Sequence, residues 1–332
     1  MSVKPTYTSP MDAATYAELG LDQTAPWEVN GHDRYGGLKA ASGEFDQGYK
    51  PCAEAFPNDD VAAGNVTSIK GWSEALAYPN TIRDLRFYTS PGMAQGAQDV
   101  SLMIFNDGIG YLGRNGSVRA GQVLDSLFAA GEIAPTLAIF IDPGRPRDIP
   151  EFSDPSALTQ EQRNRVDDAR SIEYDSMTAD YGRFLLDEIL PLAQSATNCV
   201  VTNDAAKKLV AGISSGGIAA FTSAWHFPDE FGLVLSHCGS FTNIKGGHNY
   251  AYMVRTTPRK PIRVFMQSGA NDIDGIFGNW PIANQMLAQS LEYSGYDYRF
   301  EFGAGGHTLA HGGALFAESI RWLLRQRFQQ GQ

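Results

Sequence analysis

Cysteine, long apolar runs and positive charge are all scarce in this chain. Cys52, Cys199 and Cys238 are its only cysteines, and none stands at Cys-x-x-Cys spacing. Neither a disulfide framework nor a zinc knuckle is therefore indicated, although two of the three could still bridge. No apolar run reaches the roughly eighteen residues of a membrane span. The opening Met-Ser-Val-Lys-Pro-Thr-Tyr lacks the apolar stretch of a signal peptide, so the chain is expected to be cytoplasmic, or secreted or periplasmic with its leader removed. Lys and Arg number 26 against 37 Asp and Glu, a net charge of −11. An acidic surface releases no counterions from nucleic acid or an anionic membrane, so neither is expected as a partner. Oligomeric state is left open.

What the chain does have is apolar material, 43% of 332 residues, enough for a large core. Its organising stretch runs from Lys207 to Ala220. A short apolar strand over 209–211 meets Gly-Ile-Ser-Ser-Gly (212–216), and a helical segment follows to about His226, stopped by Pro228. A turn this tight strains the serine, and Gly212 and Gly216 remove side chains that would collide with the neighbouring backbone. The Ser214 hydroxyl then projects above the carboxyl edge of the sheet, where the first N–H groups of the helix favour negative charge. In a chain this rich in glycine, Gly-x-Ser-x-Gly arises by chance in roughly a quarter of sequences. The strand before it and the helix after it favour a nucleophile over a turn that binds nothing or a phosphate.

Residues 1–64 are rich in Pro, Gly, Asp and Ala with scattered aromatics, and read as an irregular extension packing on the core and able to reach over the active-site edge. Residues 65–332 read as the catalytic domain. Segments 66–72 and 81–89 alternate as an antiparallel pair would. Strands are expected at 101–105, 136–141, 231–236, 262–267 and 298–302, and helices at 118–130, 174–193, 279–294 and 314–328. This alternation after an antiparallel start implies an α/β fold with a mostly parallel central sheet and helices on both faces. In such a sheet reactive groups collect at the carboxyl ends of the strands.

Two strand-end loops supply partners for Ser214. The loop after 262–267 carries Asp272 and Asp274, with Asp272 favoured as nearer the strand end. The loop after 298–302 carries His307, which can act as general base while one of those carboxylates holds its tautomer. The order Ser, Asp, His is that of an α/β-hydrolase. The competing readings are a turn-capping Asp and a metal held by His307 and His311. The latter lacks the Glu of a metalloprotease helix, and no metal or cofactor is expected. The Gly-rich loop 106–110 should give the second oxyanion donor, the backbone N–H of Ile109, alongside that of Ser215. His32, His226, His237 and His248 are read as structural.

Phe-Asn-Asp-Gly-x-x-Tyr (105–111), Gly-Ile-Ser-Ser-Gly-Gly (212–217), Ser-Gly-Ala-Asn-Asp (268–272) and Gly-Gly-His-Thr-Leu-Ala-His-Gly-Gly (305–313) together resemble the putative esterase family of α/β-hydrolases. That group holds enterobactin (enterochelin) esterases, esterase D, feruloyl esterases and mycolyltransferases. The resemblance covers about residues 65–328. It implies a metal-free serine hydrolase with Ser214 as nucleophile, Asp272 as acid and His307 as base. Many enterobactin esterases carry a Trp shortly after the catalytic histidine, where this chain has His311-Gly312-Gly313. Beyond Arg145, Arg147 and Arg170 there is no evident cationic cluster for a polyanionic substrate. The expected activity is carboxylic ester hydrolysis through an acyl-enzyme, on aryl, feruloyl-type or siderophore-type small-molecule esters. The alternatives are acyl transfer by the same triad and a non-catalytic binding protein.

Overall fold

The computed structural model describes residues 44–325 except Ser153, together with the paired segments Glu28–Val29 and His32–Asp33. The remainder of the expected 1–64 extension lies outside the described residues. Eight strands form the central sheet: β1 (Asn65–Trp72), β2 (Thr81–Thr89), β3 (Ala97–Asn106), β4 (Thr136–Ile141), β5 (Lys208–Ile213), β6 (Leu233–His237), β7 (Arg263–Gly269) and β8 (Asp297–Gly303). Their spatial order is β1-β2-β4-β3-β5-β6-β7-β8. β2 runs antiparallel to both neighbours, and from β4 to β8 all pairings are parallel. The short strands Arg145–Pro146 and Cys199–Val201 pair onto β2 and β3. The inner strands are apolar because helices cover both faces: every residue of β4 and β6 is buried.

Two apolar clusters lie on the two sides of the sheet. One gathers Leu102, Ile104, Ile139, Phe184, Phe221 and Trp225, and the other Phe105, Leu124, Phe140, Phe265 and Phe316. Among the described residues no helix is long and apolar enough to cross a membrane. All three cysteines are free thiols.

The helix expected over 174–193 runs from Asp180 to Thr197, and a separate helix that was not expected precedes it. Helix α1 (Gln160–Tyr174) starts at a capping box in which Thr159 accepts from the Gln162 N–H and the Gln162 side chain returns the bond. Apart from Tyr174 its packed face is polar, which hides it from hydrophobic periodicity. Glu173 makes a two-pronged pair with Arg83 of β2 (2.7 and 2.8 Å), and Arg170 does the same to Asp107 (2.8 and 3.1 Å). After Asp175 a second helix runs from Asp180–Phe184 through a π-helical stretch, Leu185–Ile189, into Leu190–Thr197. The wider turn falls just before Pro191, which has no N–H to give to the carbonyl four residues back.

Candidate active site

Helix α2 (Ser215–His226) follows β5 through Ser214, whose φ of 59° and ψ of −123° put a residue with a side chain in the strained half of conformational space. The strain is enforced by packing. A Cβ on Gly212 would sit 2.2 Å from the Gly216 carbonyl oxygen, and one on Gly216 would sit 2.6 Å from the Asp107 carboxylate. Three backbone bonds then fix the turn. Ser214 N–H donates to the His237 carbonyl (2.9 Å), and the Ser214 carbonyl accepts from Ser240 (3.0 Å) and Gly217 (2.9 Å).

The loops after β7 and β8 are knitted together. Ala270 and Asn271 donate backbone N–H groups to the carbonyls of Gly303 and Gly305 (2.8 and 3.2 Å), an approach so close that a Cβ on Gly269 would lie 2.1 Å from the Gly305 oxygen. Asp272 is thereby brought to His307, with Oδ1 2.5 Å from Nδ1. The same carboxylate accepts from the Ile273 N–H (2.7 Å) and the Ser268 hydroxyl (3.1 Å), so its orientation is fixed before any substrate arrives. Asp274 lies exposed on the short hairpin Asp274–Gly275 and Gly278–Asn279, and the contact to histidine falls to Asp272.

No hydrogen bond joins Ser214 to His307. The Ser214 hydroxyl instead meets the Ser240 hydroxyl at 3.2 Å. Ser240 also accepts the Trp280 indole N–H at 3.2 Å, and the Trp280 ring stands edge-on to the His307 ring, 6.1 Å between centroids. One continuous set of contacts thus links Ser214, Ser240, Trp280, His307 and Asp272. His307 Nε2 is buried and has no hydrogen-bond partner among the described residues. A buried ring nitrogen costs free energy while it stays unpaired.

The loop after β3 departs from expectation at Ile109. Its N–H is not a free oxyanion donor: it donates to Asp142 Oδ1 at 3.0 Å. Asp142 stands at the end of β4, the strand beside β3, and its carboxylate takes up a first-turn N–H of the short helix Gly108–Leu112. Arg86 holds the other Asp142 oxygen at 2.8 Å, while burial raises the Asp142 pKa above the ordinary carboxylate value. Ser215 does stand at the first position of α2, a twelve-residue helix, where N–H groups have no partner within the helix. Asn106 ties the two loops together, donating to the Gly216 carbonyl (2.9 Å) and accepting from the Tyr181 hydroxyl (2.7 Å).

The described end of the N-terminal extension lies behind the histidine loop. Asp46 accepts from the Gly306 N–H (3.1 Å) and the Thr308 hydroxyl (2.8 Å). Tyr49 accepts from the Ala304 N–H (3.0 Å) and stacks on His311 at 4.2 Å. His311 also meets the Gln267 amide (3.1 Å), so its imidazole is spent on structure. His237 contacts the Tyr111 hydroxyl at 2.9 Å, and burial, with His311 nearby, lowers its pKa to about 3. His226 bonds the Met177 carbonyl at 2.9 Å. Cys238 Sγ joins Asp272 and His307 in a cluster of possible ligand atoms within 4.8 Å of one another. Burial holds that thiol well above its ordinary pKa, and the facing His307 nitrogen is already committed to Asp272.

Sequence reasoning missed Ser240 and the pairing of Asp107 with Arg170. Ser240 follows the end of β6, between β5 and β7 in the sheet, and that order is not visible in the spacing of motifs.

An iron(III) enterobactin esterase of Dickeya dadantii (strain 3937) is 27% identical over 225 residues, 60% of this chain and 43% of that protein. The enterobactin esterase of Shigella flexneri, solved with enterobactin, superposes with a TM-score of 0.57 at 21% identity, over 82% of this chain and 60% of that one. A ferulic acid esterase of the anaerobic fungus Anaeromyces mucronatus gives 0.58 at 12% identity, over 83% and 98%. The chain thus spans about half the length of the enterobactin esterases and nearly all of the ferulic acid esterase, and the shared architecture is the α/β-hydrolase fold. The family model described as "Putative esterase" matches residues 79–322, and the chain belongs to that family.

Proposed function

We propose that the protein is a serine carboxylic ester hydrolase acting on small-molecule esters through Ser214, His307 and Asp272. The observation that carries this reading is the 2.5 Å contact of Asp272 with His307 Nδ1, which leaves a buried Nε2 without a partner among the described residues in the contact set that includes the strained Ser214. In the proposed cycle the Ser214 hydroxyl turns from Ser240 to His307, a change between staggered rotamers. His307 Nε2 takes its proton as Oγ attacks the ester carbonyl. Asp272 keeps the proton on Nδ1 and stabilises the imidazolium that forms. The tetrahedral oxyanion is placed at the start of α2, where the Ser215 N–H and the helix dipole face it. His307 then protonates the departing alcohol, and water, deprotonated by the same nitrogen, releases the acid from Ser214.

Purified Ser214→Ala is expected to lose about four to six orders of magnitude in kcat on p-nitrophenyl acetate. A fluorophosphonate should label the parent and not the variant. Hydrolysis by Ser214→Ala at the parent rate would remove the assignment.

A further inference from the structure

Next to Ser240 and Trp280, a cavity of about 290 Å³ opens between the segment after β6, the helix Trp280–Tyr293 and the Asp274–Asn279 hairpin. Phe241, Ala251, Phe277, Ile282, Ala283 and Met286 give it an apolar lining. Among the described residues no Lys, Arg, Asp or Glu lines it, and His248 is its sole titratable group. Ile282 and Met286 are exposed large apolar residues that form its outer rim.

Two of its lining residues are chain neighbours of the contact set around Ser214. Phe241 directly follows Ser240, whose hydroxyl is 3.2 Å from that of Ser214. Asn279 directly precedes Trp280, whose indole bonds the same Ser240 hydroxyl at 3.2 Å and whose ring edges His307. With neighbouring Cα atoms about 3.8 Å apart, the inner wall lies on the order of 10 Å from the nucleophile. The volume lies at the small end of the roughly 300–1,000 Å³ of small-molecule sites and suits one substituent rather than a whole large ester. A carboxylate or other anion entering here would lose its water and meet no cation in return.

We propose that this cavity receives an uncharged apolar group of the ester and thereby selects the substrate. The proposal rests on the hydrolase reading above. The apolar group can belong to the acyl or to the alcohol side of the scissile bond, and the two are separable by experiment.

The test is kcat/KM by pH-stat for two neutral series, ethyl esters of acids of increasing apolar size and acetates of alcohols of increasing apolar size, with a hemisuccinate as the anionic member. In the parent, one series should rise at least tenfold with size, since a methylene in an apolar pocket is worth about tenfold or more, and the series that rises names the side. The hemisuccinate should be at least tenfold poorer than a neutral ester of equal size. Ala283→Phe, which fills the cavity, should erase the rise. Met286→Ala, at an exposed rim position that folding tolerates, should move the optimum to larger groups. Two flat series, or a rise untouched by both substitutions, overturns the cavity proposal while leaving the hydrolase standing. If the parent cleaves no ester at all, the hydrolase reading falls, and calorimetric binding of the same esters then decides the cavity. Affinity that grows with apolar size and is lost in Ala283→Phe upholds it, and no affinity overturns it.

Discussion

The two flanks of Ser214 are built differently. On the β7 and β8 side, the expected carboxylate and imidazole meet at 2.5 Å, held by loops that bond each other through their backbones. On the β3 side, the backbone N–H expected to face the oxyanion instead donates to Asp142 of the adjacent strand end. A side chain's chemistry is written in its residue type, and a motif order that places Asp and His after successive strands is enough to name the pair. A backbone donor is the same in every residue except proline, so its role depends on which acceptor the neighbouring strand brings to it. Asp142 directly follows β4, beside β3 in space but joined to it through two helices and some thirty residues of chain.

The largest expected effect breaks the better-defined flank. Asp272→Asn keeps the shape but can leave His307 in the wrong tautomer, and should lower kcat by about four orders of magnitude. Asp274→Asn, exposed on its hairpin, should stay within about twofold. Equal losses in the two variants would mean that the 2.5 Å contact is not the one that matters.

Gly216→Ala strikes where the flanks meet. Its new Cβ would fall 2.6 Å from the Asp107 carboxylate and 3.1 Å from Asn106 Cβ, so the β3 loop or the nucleophile turn must shift. A misplacement of this kind is expected to cost on the order of a hundredfold in kcat/KM. Parent-like kinetics would show that the loop yields freely.

Ile109→Pro tests the donor itself, because proline removes the N–H yet is tolerated in the first turn of a helix. A working oxyanion donor would be missed by about a hundredfold or more. With that N–H spent on Asp142, the expected loss in kcat is under about tenfold. A hundredfold loss would mean that substrate displaces Asp142 and that the sequence-based assignment of Ile109 was right in the working enzyme.

The strands, the parallel sheet and the strained turn at Ser214 were legible because each has a local signal, in apolar runs and in glycines with a steric reason. Helix α1 was not legible. Its buried residues are Ser171, Glu173 and Tyr174, with half-buried Arg170 beside them and no Leu or Ile, and the charged partners that stabilise this face, Asp107 and Arg83, are about sixty and ninety residues away. Ser240 escaped for a related reason, since a serine after a strand means nothing until the strand is known to lie beside β5. The roles of Asp46 and Tyr49 behind the histidine loop depend on contacts spanning some 260 residues, beyond any local pattern.

The β3 flank also carries a charge imbalance that the Asp272 flank lacks. Asp175, just past the end of α1, is 3% exposed, and one of its carboxylate oxygens has no hydrogen-bond partner among the described residues. Burial raises its pKa from 3.8 to about 6, against the opposing pull of Arg170, of the Ser215 and Ser171 hydroxyls and of Lys245. Between pH 4 and 6 the folded chain therefore holds a proton that the unfolded chain has lost. The stabilisation from this group is full below pH 4, declines as pH rises through 6, and amounts to about 3 kcal/mol in all. Asp175→Asn should remove that slope, so that its unfolding free energy relative to the parent rises by about 3 kcal/mol from pH 4 to 7 in denaturant titrations. A difference that stays flat with pH would mean that Arg170 keeps Asp175 ionised while also holding Asp107. The β3 flank would then hold no extra proton near pH 6, and the contrast between the flanks would reduce to the single N–H of Ile109.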